Sequence, residues 1–166
     1  MPPIGADNAA DVLSAGMGQW AVAASPTRIR ALLGSCVGVV LIDARGKVGG
    51  VAHVVLPESR GESGQPGKYA DTAIPGMIAD LERLLGRGPI AGRLAAKVVG
   101  GASMFQAEGS MNIGRMNGEA VARILEALRI PILASDLGGE AGRRLVLDTA
   151  TGAVAIRIPG GADYTI

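Results

Sequence analysis

The chain has 166 residues, a formal net charge of +1, 48% hydrophobic and 19% charged residues, and only 2% aromatic residues. That length supports one domain with a real core, and that balance excludes a disordered chain. Near-neutral charge without a Lys/Arg cluster argues against binding nucleic acid through phosphates, and so few aromatics leave no platform for stacking bases.

Residues 1–10, rich in proline, glycine and small side chains, read as a flexible tail ahead of a single domain over 11–166. The first basic residue is Arg28, so the N-terminus lacks the charged region of a secretory signal. The longest apolar run, Val37 to Ile42, is too short to cross a bilayer. With one cysteine no internal disulfide can form. The expectation is a cytoplasmic protein without membrane insertion.

A short strand is predicted over Gln19–Ala23, a turn at Ser25-Pro26 and a strand over Ile29–Leu33. Gly34 breaks the pattern before Ser35-Cys36. Val37–Ile42 and Lys47–His53 then read as a hairpin around Asp43-Ala44-Arg45-Gly46. A two-residue loop at Ala44-Arg45 would set Cys36 directly opposite His53 on one sheet face, whereas a three-residue loop would send them to opposite faces. Glu58–Lys68 is a polar, glycine-rich loop, either a lid over the site or an ordinary connection.

Ile74, Met77, Ile78, Leu81, Leu84 and Leu85 form the stripe of an amphipathic helix, with Asp71 or Thr72 as a cap, Pro75 in its early turns and Gly86 at its end. Leu94–Val99 reads as a buried strand opening into the Gly100-Gly101-Ala102-Ser103 turn. A second helix is predicted after Asn117 as N-cap, with the stripe Val121, Ile124, Leu125 and Leu128, stopped by Pro131. Strands are expected over Ile132–Ser135, Arg144–Leu147 and Ala153–Ile158. About eight strands and two helices, without βαβ alternation along the chain, predict an α+β fold with mixed or antiparallel sheets and flanking helices.

Cys36 and His53 are the only cysteine and the only histidine. A lone cysteine is usually a small buried hydrophobe, and a lone histidine is usually structural. A thiol and an imidazole within hydrogen-bond reach, however, can do nucleophilic chemistry: the ring draws off the thiol proton, the sulfur attacks an acyl carbon, and a thioester remains for water. Gly34-Ser35 is a small, flexible lead-in whose N–H groups could stabilise an oxyanion. Other chemistries fail on their motifs. Gly100-Gly101-Ala102-Ser103 lacks the lysine of a P-loop and the spacing of a dinucleotide fingerprint, and it reads as a tight turn. No metal-ligand cluster and no serine nucleophile elbow occur.

Six stretches, in order and at natural spacing, resemble the CheD family of chemoreceptor glutamine deamidases: Leu33-Gly34-Ser35-Cys36-Val37, His53-Val54-Val55-Leu56-Pro57, Gly67-Lys68-Tyr69-Ala70-Asp71-Thr72-Ala73, Lys97 through Phe105, Asn112-Ile113-Gly114, and Asp136-Leu137-Gly138-Gly139 with Gly142-Arg143. The resemblance covers about Gly18 to Ile158. It implies conversion of glutamine side chains of methyl-accepting receptors to glutamates, with Cys36 as nucleophile and His53 as its partner. It also implies an α+β fold, no cofactor, receptor cytoplasmic domains as substrate, and a CheC-type phosphatase as a further partner. Ser35, Gly34 and Thr27 are the candidate supporting residues. Lys68, Tyr69, Phe105, Asn112 and Asn117 are the candidate contacts to substrate or partner.

Two positions depart from the family. A threonine five or six residues before the cysteine often serves as third catalytic member, and here Arg30 and Ala31 stand there. The ring-orienting role is thus open to a backbone carbonyl. The arginine favoured before the helix-opening asparagine is Met116, with Arg115 one earlier. Two alternatives stay beside the deamidase: a catalytically weakened module that regulates a CheC-type phosphatase, and a methylesterase-like cysteine hydrolase. A depressed thiol pKa would favour an enzyme and an ordinary one the module.

Overall fold

The computed structural model describes residues 12–62, 64–103 and 112–166. The expected tail over 1–10 and Phe105 lie outside the described residues. Ten strands and two α-helices follow in the order β1 (Val12–Ser14), β2 (Trp20–Ala24), β3 (Arg28–Leu33), β4 (Val37–Asp43), β5 (Val48–Val54), α1 (Ala70–Leu85), β6 (Ala95–Gly100), α2 (Ile113–Ala127), β7 (Ile132–Leu137), β8 (Arg143–Asp148), β9 (Val154–Arg157) and β10 (Tyr164–Thr165). The first sheet has the order β1-β3-β8-β9-β10 and the second β2-β5-β4-β6-β7. This is the expected α+β architecture.

Three layers result. One face of the second sheet carries Val37, Val39, Leu41, Val54 and Val98 against Ile74, Met77 and Leu81 of α1 and Val121 and Leu125 of α2. Its other face carries Val40, Ile42, Val51 and Val99 against Ile29, Leu33, Leu145, Leu147 and Ile156 of the first sheet. β4 and β5 are central strands covered on both sides, and every residue in them is buried. That explains why this hairpin reads as a nearly continuous apolar run rather than an alternation. β3 has a solvent side, and it alternates. Among the described residues, no helix is long and apolar enough to cross a membrane.

The hairpin register differs from the expected one. Val37 pairs with Val54, Gly38 with His53 and Asp43 with Val48, so the loop holds Ala44, Arg45, Gly46 and Lys47. The cause is local: Asp43 Oδ1 accepts from the N–H groups of Arg45 and Gly46 at 3.0 and 3.1 Å, which opens a wider turn that Lys47 closes at φ 50°. The slip is two residues, an even number, so the faces are preserved. Cys36, which immediately precedes β4, and His53 therefore keep to one side of the ribbon, but they are not a directly opposed pair.

Three other expectations change. α2 starts at Ile113, with the Asn112 side chain accepting from the Arg115 N–H at 3.0 Å, and Asn117 lies inside the helix. Gly114 and Gly118 weaken the helical reading of that first turn. Gly114 is there because α2 crosses the backbone of Gly101 and Ala102 too closely for a side chain. β6 and β7 run parallel with α2 between them, a single βαβ crossover inside the otherwise antiparallel run β2-β5-β4-β6. β1 and β10 are too short to carry a period.

Gly38 sits where the two sheets meet. A Cβ built on it would lie 2.6 Å from Leu145 and 2.9 Å from Leu33. Gly38→Val is therefore expected to destabilise the protein by roughly 1–3 kcal/mol through overpacking. Urea unfolding checks this, and a variant as stable as the parent would show that the sheets can separate at no cost.

Candidate active site

β3 belongs to the first sheet and β4 to the second, so the chain must cross between layers at Gly34-Ser35-Cys36. Three consecutive carbonyls of this bend are held. Gly34 O accepts from Ala102 N–H at 3.0 Å, Ser35 O from Asn117 Nδ2 at 3.3 Å, and Cys36 O from Gly101 N–H at 2.8 Å. The donors come from the β6 exit and from α2. Gly100 has φ 111°, and a Cβ there would strike the Cys36 carbonyl. The Gly100-Gly101 pair is thus a tight turn, as its spacing suggests, and its purpose is to bring backbone donors against the cysteine bend.

That turn has its own backing. Gly138 N–H donates to Gly100 O at 3.0 Å, and Ser103 N–H donates to Gly139 O at 2.8 Å. The buried Arg143 guanidinium gathers this segment, donating to Asp136 O at 2.8 Å, to Asp136 Oδ1 at 3.0 Å and to the Gly138 carbonyl. The Asp136–Arg143 motif is a scaffold one layer behind the thiol.

His53 pairs with Gly38 on the side of β5 that faces the first sheet. Its Nδ1 lies 3.0 Å from the carbonyl oxygen of Ala15. A carbonyl only accepts, so Nδ1 carries the ring proton and Nε2 keeps its lone pair. Nε2 is buried and has no hydrogen-bond partner. Ala15 is fixed in turn by its own N–H, which donates to Arg30 O at 2.8 Å. The backbone of His53 is tied to the same turn: its N–H donates to Gln19 O at 2.9 Å and its carbonyl accepts from Gly18 N–H at 3.0 Å. Ala15 had no signal in the sequence, because its contribution is a main-chain oxygen.

Both side chains are nearly covered, with Cys36 7% and His53 4% exposed. Burial pushes the Cys36 thiol up, offset in part by its own backbone N–H, and pushes the His53 imidazole down, offset in part by the Ala15 carbonyl. At rest the thiol and the imidazole are therefore both neutral, and they are not hydrogen-bonded to each other: Nε2 has no partner within reach, the Cys36 sulfur included. The depressed thiol named above as a mark of an enzyme is not what burial produces here. His53 lies on the wall of an open cleft of about 430 Å³ shared with Ala15, Met17, Arg30, Leu32 and Arg144; Cys36 does not line it.

Asn117 is fully buried, so it is not a surface contact. Its Nδ2 donates to Ser35 O at 3.3 Å and to Val55 O at 2.9 Å, tying the residue before the thiol to the segment leaving the histidine strand. Thr27 stands at the far end of β3, about 20 Å from the cysteine bend by strand rise, and does not belong to the site. Ser35 and Gly34 form the bend itself. Tyr69 is buried, with its hydroxyl donating to Glu62, and Lys68 serves through its carbonyl, which accepts from Val55 and Leu56 N–H at 2.9 Å. Asn112 is exposed as the α2 cap. The described part of the Glu58–Lys68 loop lines none of the His53 cleft; it is held to α1 by Ser59 on Asp71 and backs the 15–19 turn where Gly67 meets Gly18. Among the described residues no group of three His, Cys, Asp or Glu side chains could hold a metal ion.

A family model described as CheD chemotactic sensory transduction matches residues 55–158. A probable chemoreceptor glutamine deamidase CheD of Desulforamulus reducens is 46% identical over 154 residues, covering 89% of this chain and 91% of that protein. The chemoreceptor glutamine deamidase CheD of Thermotoga maritima is 44% identical over 149 residues, covering 89% and 92%. A probable chemoreceptor glutamine deamidase CheD of Methanococcus vannielii is 45% identical over 148 residues, covering 88% and 94%.

Two outcomes test this geometry. His53 has a folded pKa below its unfolded value, so the unfolded chain takes up the proton first and stability falls as pH drops through about 6.5 toward the depressed folded value. Relative to His53→Gln, the parent protein is expected to lose melting temperature across that window; parallel curves would contradict a buried neutral ring. Asn117→Ala strands two carbonyls and is expected to cost roughly 1–3 kcal/mol in urea unfolding.

Proposed function

The chain belongs to the CheD family, and on that premise we propose that it is a chemoreceptor glutamine deamidase with Cys36 as nucleophile and His53 as acid–base group. One observation carries the assignment of roles: His53 Nε2 is unpartnered and lies on the same ribbon face as Cys36, while Nδ1 is fixed by the Ala15 carbonyl. Ala15 thereby takes the ring-orienting part for which no side chain stands at Arg30 or Ala31.

The steps balance on these groups. As the target carboxamide approaches, Nε2 removes the Cys36 proton and the sulfur attacks the amide carbon. The oxyanion is met by N–H groups of the Gly34–Cys36 bend, whose carbonyls are already held by Ala102, Asn117 and Gly101. The imidazolium gives its proton to the departing nitrogen, and ammonia leaves. Water, deprotonated by Nε2, then attacks the thioester; the products are a glutamate side chain and the free thiol. Burial disfavours the imidazolium, and the Ala15 carbonyl is a neutral acceptor, so the charged ring is short-lived and hands its proton on readily. The finer parts of the reading, a CheC-type partner and a cytoplasmic location, rest on the family resemblance and on a thiol that must stay reduced.

The experiment is incubation with receptor cytoplasmic fragments and mass spectrometry of the amide-to-acid change. Conversion is expected with the native protein, none with Cys36→Ser, and a loss of roughly 10²–10⁴-fold with His53→Gln. Undiminished conversion by Cys36→Ser would remove the cysteine from the mechanism. Because burial raises the thiol, iodoacetamide alkylation of Cys36 is expected to keep climbing beyond the pH at which a free cysteine, with a pKa of about 8.5, levels off.

A further inference from the structure

We infer that the mouth of the His53 cleft is the docking surface for the protein substrate, and that it accepts a segment in which acidic and apolar residues flank the target glutamine. The inference rests on the deamidase reading and adds what the substrate must look like around the reacting side chain. Its first support is an unusual coincidence of exposure. Leu32 and Met17, at 73% and 68%, are the two most exposed large hydrophobic side chains among the described residues, and both line the cleft that has His53 on its wall. Singly exposed apolar residues are ordinary on a protein surface, but two at one opening form a patch that a partner can cover.

The second support is charge. Among the described residues the cleft is lined by Arg30 and Arg144 and by no carboxylate. Strand register explains the grouping: Arg30 and Leu32 alternate on the solvent side of β3, and Leu32 pairs with Arg144 of β8. Arg30 is steadied by its Nε donating to Ser14 Oγ at 2.9 Å, which leaves its terminal nitrogens to a ligand. A free glutamine or another small amide would cover neither Leu32 nor Met17. A peptide surface with carboxylates beside the glutamine would satisfy both the apolar and the cationic parts of the mouth. The opening exists because β1 stops at Ser14, opposite Arg30, and the chain turns inward at Ala15 to reach His53; among the described residues no strand pairs with β3 beyond that point on that side.

The test measures docking apart from chemistry. In a Cys36→Ser background, binding of fluorescent receptor cytoplasmic fragments is compared with and without Arg144→Glu or Leu32→Ser, at low and high salt. In otherwise native protein, conversion of the same fragments is followed by mass spectrometry. Roughly five- to tenfold weaker binding is expected for each variant, with the Arg144 effect lost at high salt, and a matching rise in KM with little change in kcat. Arg144→Glu should regain conversion on fragments whose acidic neighbours of the modified glutamine are replaced by lysine. An unchanged rate of Cys36 alkylation shows that both variants keep the site intact. If both variants bind and convert like the parent, the docking surface falls and the deamidase stands. If binding depends on Arg144 and Leu32 but the native protein converts no glutamine, the deamidase falls and the docking surface stands.

Discussion

A carbonyl oxygen can only accept, so the 3.0 Å contact between Ala15 and His53 Nδ1 puts the ring proton on one nitrogen and the basic lone pair on the other. The remaining features of the site depend on that choice. With the opposite tautomer, Nε2 would be a donor and could take no proton from sulfur. The bond needs a main-chain oxygen delivered from outside the hairpin. The turn at residues 15–19 delivers it, anchored to β3 through Arg30 and to β5 through Gln19 and Gly18. The ring is held by the layer it faces rather than by a neighbour in its own strand.

The thiol is placed by a different device. Crossing between two sheets leaves the Gly34–Cys36 bend without a ladder partner, and its carbonyls are satisfied by donors from the β6 exit and α2. Close backbone approach is what selects glycine at 100, 101 and 114, and a buried arginine holds the loop behind them. Burial on this scale has an electrostatic consequence. Thiol and imidazole both favour their neutral forms rather than an ion pair. A buried neutral pair is also less open to adventitious oxidation or alkylation than a preformed thiolate.

Much of this was legible in the sequence. The apolar run of β4, the stripes of α1 and α2 and the glycine turn after β6 mark their elements through period and composition, and two unique residues flanking one hairpin are what suggested a thiol–imidazole site. The hairpin register was missed by two residues because the Asp43 carboxylate builds a wider turn, a side-chain effect that loop composition does not reveal. The start of α2 was missed because glycines needed for close packing look like loop. Asn117 reads as a helix cap from its type alone, whereas its place inside α2 makes it a cross-link between the two segments that carry the thiol and the ring.

Taken alone, the order of residues singled out the candidate nucleophile and base, since one thiol and one imidazole are all this chain has, and it determined the α+β class through the hydrophobic period of its segments. Tertiary structure decided which nitrogen of the ring is basic, what orients it and how the cleft opens to solvent. Those properties depend on main-chain groups, the Ala15 oxygen above all, and every residue type carries the same carbonyl. Only the path of the folded chain distinguishes the oxygen that meets His53 from the others.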